Sequence, residues 1–84
     1  MRLRREDVSA RTLGDQTIVL DLRSSRYLTV SGVGVRLFEL LAEERSLAEL
    51  TDSITSEYEV DDERALQDTT AFLDALRAAS LLEG

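Results

Sequence analysis

The chain predicts an α+β fold: a small antiparallel meander followed by three helices, in a winged-helix-like order. Two observations carry this prediction. The first third alternates apolar and polar residues with a period of two, as in Thr17–Leu22, where Ile18, Leu20 and Leu22 interleave with Thr17, Val19 and Asp21. From Ser31 onward the apolar spacing changes to three and four residues, with helix-start signals at Ser46 and Asp61. Strands first and helices after are the mark of a segregated α+β domain. At 84 residues there is length for one core only, so residues 1–84 read as a single domain.

Each element has its own local signal. A weak strand spans Val8 to Leu13, and Gly14-Asp15 forms a turn before the strand at Thr17–Leu22. Arg23-Ser24-Ser25 turns the chain again, and Tyr27–Val30 returns as a third strand. A two-residue loop puts Tyr27 on the Leu20 face; a three-residue loop puts Leu28 and Val30 there. The three-residue version is preferred because it groups more aliphatic side chains, and a slip of one residue exchanges the faces.

The first helix, about Gly32 to Glu43 with Ser31 as its cap, carries Val33, Leu37, Leu40 and Leu41, with Phe38 alongside. The second opens with Ser46 and Glu49 as a capping box, in which each side chain satisfies the other's backbone N–H. Leu47, Leu50 and Ile54 form its apolar face, and Tyr58 packs after its end. The third starts at Asp61, with Asp62 and Glu63 well placed against the helix dipole and Val60 and Ala65 as a weak staple. It extends to about Ala79, after which Leu81 and Leu82 tuck back onto the core.

Composition narrows the functional classes. Without Cys or His there are no thiolate nucleophiles, disulfides or imidazole metal sites, and no Asp/Gly spacing of a calcium loop occurs. No metal, no cofactor and no catalytic residue is therefore expected, and the chain does not read as an enzyme. No apolar run approaches the roughly 20 residues that span a bilayer, so no membrane partner and a cytoplasmic location are expected. Residues 1–30 hold six Arg and four acids, whereas residues 31–84 hold four Arg and thirteen acids. An acidic helical half repels phosphate backbones, which argues against a nucleic-acid partner and suits a basic or neutral peptide, or simply keeps the chain soluble.

Two features read as a binding groove. In a meander the third strand is an edge, and Tyr27-Leu28-Thr29-Val30 has neither Pro nor charge to protect it; Arg26 and the strand's shortness are its only defence. An extended peptide adds to such an edge through backbone hydrogen bonds. On the third helix, Leu66, Thr69, Leu73 and Leu76 make a core stripe, flanked by a second stripe of Ala65, Asp68, Phe72, Ala75 and Ala79. The small residues of that second stripe leave a trough with Phe72 as its floor, and Asp68 is placed to hold a basic or hydroxyl group.

The order DLRSSRYLTV, SGVGVRLFELL, RSLAELTDSI, VDDERALQD and FLDALRAASLLE resembles PqqD-like domains over nearly the whole chain. Many relatives place Asn-Pro before the Gly step, where this chain has Ser31-Gly32. The resemblance implies recognition of the leader region of a ribosomally made precursor peptide. The peptide would add beside the third strand and lie on the third helix. Carried onto this sequence, the site comprises Arg26, Tyr27, Leu28, Thr29 and Val30 on one wall and Ala65, Asp68, Thr69, Phe72, Ala75 and Leu76 on the other. The short form is most similar to the recognition proteins of split lasso-peptide systems, whose partners are the precursor, a separate leader peptidase and a cyclase. A pyrroloquinoline-quinone-type peptide chaperone for a radical enzyme is the related alternative. A winged-helix DNA-binding regulator is the rival from another class, and the acids Glu49, Asp52 and Glu57 on the second helix count against it.

Overall fold

A computed structural model describes residues 1–83. Its elements in chain order are β1 (Arg2–Leu3), β2 (Val8–Leu13), β3 (Gln16–Asp21), β4 (Arg26–Ser31), α1 (Val33–Leu40), α2 (Leu47–Glu57), α3 (Asp62–Ala78) and β5 (Leu82–Glu83). Strands β2, β3 and β4 form an antiparallel meander in that order, so β4 is an edge, and three helices follow. The expected α+β, winged-helix-like architecture is present. A second, two-stranded sheet pairs β1 with β5, through Arg2 with Glu83 and Leu3 with Leu82. That closure has no local sequence signal, because its partners lie at opposite ends of the chain.

The register between β3 and β4 corrects the preferred reading. Leu20 pairs with Tyr27, Val19 with Leu28 and Asp21 with Arg26, which is the register of the rejected two-residue loop. The inward face of β3 is Thr17, Val19 and Asp21, whereas Ile18, Leu20 and Leu22 are 38, 36 and 54 % exposed. Asp21 explains the choice. Its carboxylate accepts hydrogen bonds from the Arg23 N–H (3.0 Å), the Ser24 hydroxyl (2.9 Å) and the Arg4 guanidinium. The first of these makes an Asx turn, and the three together fix Asp21 pointing inward. Inward placement of Asp21 puts Val19 and Thr17 on the same face by the period-2 rule.

Helix α1 begins one residue later than expected. Gly32, not Ser31, is its N-cap, with φ +59° and ψ −138°, a backbone conformation that side chains resist. The helix ends at Leu40, and the Arg45 side chain donates to the Leu40 carbonyl at 3.0 Å. Gly34 permits close packing. A Cβ there would lie 2.8 Å from Val30 Cγ1 and 3.3 Å from the Phe72 ring, so β4, α1 and α3 meet at this glycine.

Helix α2 has the expected capping box, with Ser46 N–H to Glu49 at 2.9 Å and Glu49 N–H to Ser46 at 3.1 Å. The Asp61 side chain caps α3 by accepting from the Arg64 N–H at 2.8 Å. The end of α3 closes with Leu81 N–H to the Leu76 carbonyl and Ser80 N–H to the Arg77 carbonyl, a Schellman pattern with Ser80 at φ +60° in the place usually held by Gly. This turn buries Leu81, as expected.

The core gathers Val19, Val30, Leu37, Leu40, Leu41, Leu50, Ile54, Ala65, Leu73, Leu76 and Leu81. Three expected core positions differ. Leu47, Tyr58 and Leu66 are exposed; Leu47 is the first residue of α2, Leu66 lies near the start of α3 and Tyr58 is the C-cap of α2. Leu47 and Leu66 line an open groove together with Ala48, Thr51, Asp52 and Asp62. Ala65 occupies the core position expected for Leu66.

Candidate functional site

Strand β4 and the second half of α3 run side by side. At one end Val30 and Phe72 meet over Gly34. At the other, Arg26, Tyr27 and Leu28 face Ala78, Ala79, Ser80 and Leu81 across a cleft of about 440 Å³. The lengths match. Tyr27 to Val30 covers about 10 Å of strand, and Phe72 to Ala79 covers about 10 Å of helix, in the opposite chain direction.

Of the five strand residues expected at the site, Arg26, Tyr27 and Leu28 line the cleft, and Thr29 and Val30 do not. Register places Arg26, Leu28 and Val30 on the inner face and Tyr27 and Thr29 on the outer one. Val30 is buried, Leu28 half-buried and Tyr27 75 % exposed. The helix wall is more selective. Phe72, Ala75 and Ala79 share one helical face at i, i+3 and i+7, with Phe72 half-buried and Ala75 and Ala79 exposed. Ala65, Thr69 and Leu76 are fully buried, so they support this wall from within and present no surface to a ligand. The Thr69 hydroxyl is buried without a hydrogen-bond partner. Asp68 sits one turn before Phe72, and its carboxylate pairs with Arg64 at 3.0 and 3.1 Å.

The cleft has further lining residues that the sequence reading did not name. They are Val19, Asp21, Ser24, Ala78, Ser80 and Leu81. Two signals in the sequence bear on them: the Asp-x-x-Ser run at Asp21–Ser24, which makes the turn, and the small tract Ala78-Ala79-Ser80, which keeps the helix end narrow. Burial pushes the Asp21 carboxyl up. The Ser24 hydroxyl, the Arg23 N–H and the Arg4 guanidinium outweigh it and hold the group below the ordinary carboxylate range. Arg4 also donates to the Ser80 carbonyl at 2.9 Å, so one side chain ties the β3–β4 turn to the end of α3.

Chemically, the arrangement offers an extended backbone edge, an apolar trough and a polar end. Among the described residues, no helix is long and apolar enough to cross a membrane.

Comparison with known proteins places this geometry in context. The sequence model of the family described as coenzyme PQQ synthesis protein D (PqqD) matches residues 16–82. Two solved structures share the fold across the chain. TbiB1 in complex with the TbiA(beta) leader peptide is 33 % identical, with a TM-score of 0.87 over 100 % of this chain and 96 % of its own. A lasso peptide synthetase B1 complexed with the leader peptide is 26 % identical, with a TM-score of 0.82 over 99 % of this chain and 96 % of its own. No curated protein sequence matches the chain significantly. With four-fifths of its length matched and both walls of the cleft inside the match, the chain belongs to the PqqD family.

Proposed function

We propose that the chain binds the leader region of a ribosomally synthesised precursor peptide and delivers it to a separate leader peptidase in lasso-peptide maturation. The leader adds as a strand beside β4 and rests its side chains on Phe72, Ala75 and the end of α3. The observation that carries this reading is the free edge of β4 with the end of α3 facing it across a cleft. Both similar structures were solved with leader peptides, which supports the same class of ligand here.

Backbone pairing along the edge supplies affinity, and the side-chain pockets supply selectivity. The protein then acts by recruitment. Tethering the leader raises the effective concentration of the cleavage site at the peptidase, and later at a cyclase, and needs no catalytic group on this chain. The family description favours one related reading, a PQQ-type chaperone that presents its precursor to a radical enzyme.

Fluorescence-anisotropy titration with leader peptides encoded beside the gene tests the proposal. Saturable binding that is lost when the leader is scrambled is the expected result. Equal binding of native and scrambled leaders overturns it.

A further inference from the structure

The charges around the cleft are unevenly satisfied. Asp21 is held by Arg4, Ser24 and the Arg23 backbone, and Asp68 is held by Arg64. Arg23 is bound to Asp7 and Glu6. Arg26 lies on the cleft wall, exposed, and makes no ion pair among the described residues. Its cross-strand neighbour is Asp21, whose oxygens are already turned to the three donors above. The cleft therefore carries one unneutralised charge, and it is positive.

The position of that charge is set by the pleat. Arg26, Leu28 and Val30 share the inner face, two residues apart, and Leu28 borders the apolar part of the cleft with Ala78, Ala79 and Leu81. A strand added beside β4 has the same period, so side chains of the incoming peptide that face Leu28 and Arg26 are also two residues apart.

We infer that the recognised peptide carries an acidic side chain two residues from the apolar residue seated against Leu28, and that Arg26 selects it by direct pairing. The inference rests on the strand-addition reading above and adds a charge requirement to it. It also reverses the basic preference suggested by the net charge of the helical half, because the acids of that half nearest the cleft are already paired.

A charge swap tests it. The labelled leader peptide is titrated against wild type, Arg26→Ala and Arg26→Glu, with circular dichroism confirming that the variants are folded. Each Asp or Glu of the leader is then changed to Arg in turn. Arg26→Glu is expected to weaken the native leader on the order of five- to tenfold. One leader position changed to Arg should restore binding to Arg26→Glu, and that position should lie two residues from an apolar residue whose Ala variant also binds weakly. Native affinity in Arg26→Glu, or failure of every swap to restore binding, overturns the inference while leaving strand addition standing. Absence of saturable binding to wild type removes the underlying reading and the inference with it.

Discussion

The two faces of β3 carry different chemistry and meet different surroundings. The inner face holds Thr17, Val19 and Asp21 and is buried; the outer face holds Ile18 and Leu20, continues to Leu22, and is open to solvent. The more apolar face is thus the exposed one. Enclosure follows from where the helices pack and from which hydrogen bonds fix the strand's rotation, and Asp21 with its three donors supplies those bonds. The inner face also borders the cleft at Val19 and Asp21, so the residues that set the register also form the end of the site.

Adjacent residues on β3 give the largest test of this contrast. Val19→Asp places an unpaired carboxylate in the core and should cost more than about 3 kcal/mol, enough to unfold much of the protein. Leu20→Asp, one residue along, should cost less than about 1 kcal/mol and leave leader affinity unchanged. Chemical denaturation of both variants checks this; similar losses at the two positions would contradict the assigned faces.

Phe72→Ala probes the inner side at the site itself. Removing the ring that meets Val30 over Gly34 should weaken leader binding about tenfold, or roughly 1.4 kcal/mol, in a variant that remains folded. Unchanged anisotropy curves would take Phe72 out of the site. A smaller gain is expected beneath the helix wall. Thr69→Val replaces a buried, unpartnered hydroxyl with a methyl group and should raise stability by about 1 kcal/mol without altering affinity. A loss of stability would mean that the hydroxyl has a partner.

The smallest effect is a pH dependence. The carboxyls of Asp21 and Glu49 are both held below their ordinary range. Hydrogen bonds from Ser24, Arg23 and Arg4 outweigh burial at Asp21, and the Ser46 backbone and hydroxyl lower Glu49. A depressed folded pKa gives stability that is present above the unfolded value and is lost as pH falls through the folded one. The gap in denaturation midpoint between wild type and Asp21→Asn should therefore be constant near neutrality and narrow below about pH 4. A gap that widens on acidification would refute the assignment.

The helices were legible because their signals are local. Ser46 with Glu49, and Asp61 with the N–H of Arg64, are contacts between residues three apart that any reading of the chain can see. The β3–β4 register was not legible from apolar counting, because it is fixed by polar contacts of Asp21, two of them local, from the Arg23 N–H and the Ser24 hydroxyl, and one from Arg4, 17 residues away. The β1–β5 pair was missed because its partners lie at opposite ends of the chain. At the candidate site, the edge position of β4 could be read from the order of the strands. On α3, periodicity alone does not separate Ala65, Thr69 and Leu76, which are buried, from Phe72, Ala75 and Ala79, which are half-buried or exposed.

The central claim is that a leader peptide occupies the trough between β4 and α3. The most direct measurement is a titration of isotope-labelled protein with the leader, followed by amide chemical shifts in two-dimensional NMR. The account predicts saturable shifts concentrated in Arg26–Ser31 and from Phe72 to Leu81. Shifts concentrated on Ile18, Leu20 and α2, with the β4 edge unaffected, would contradict it.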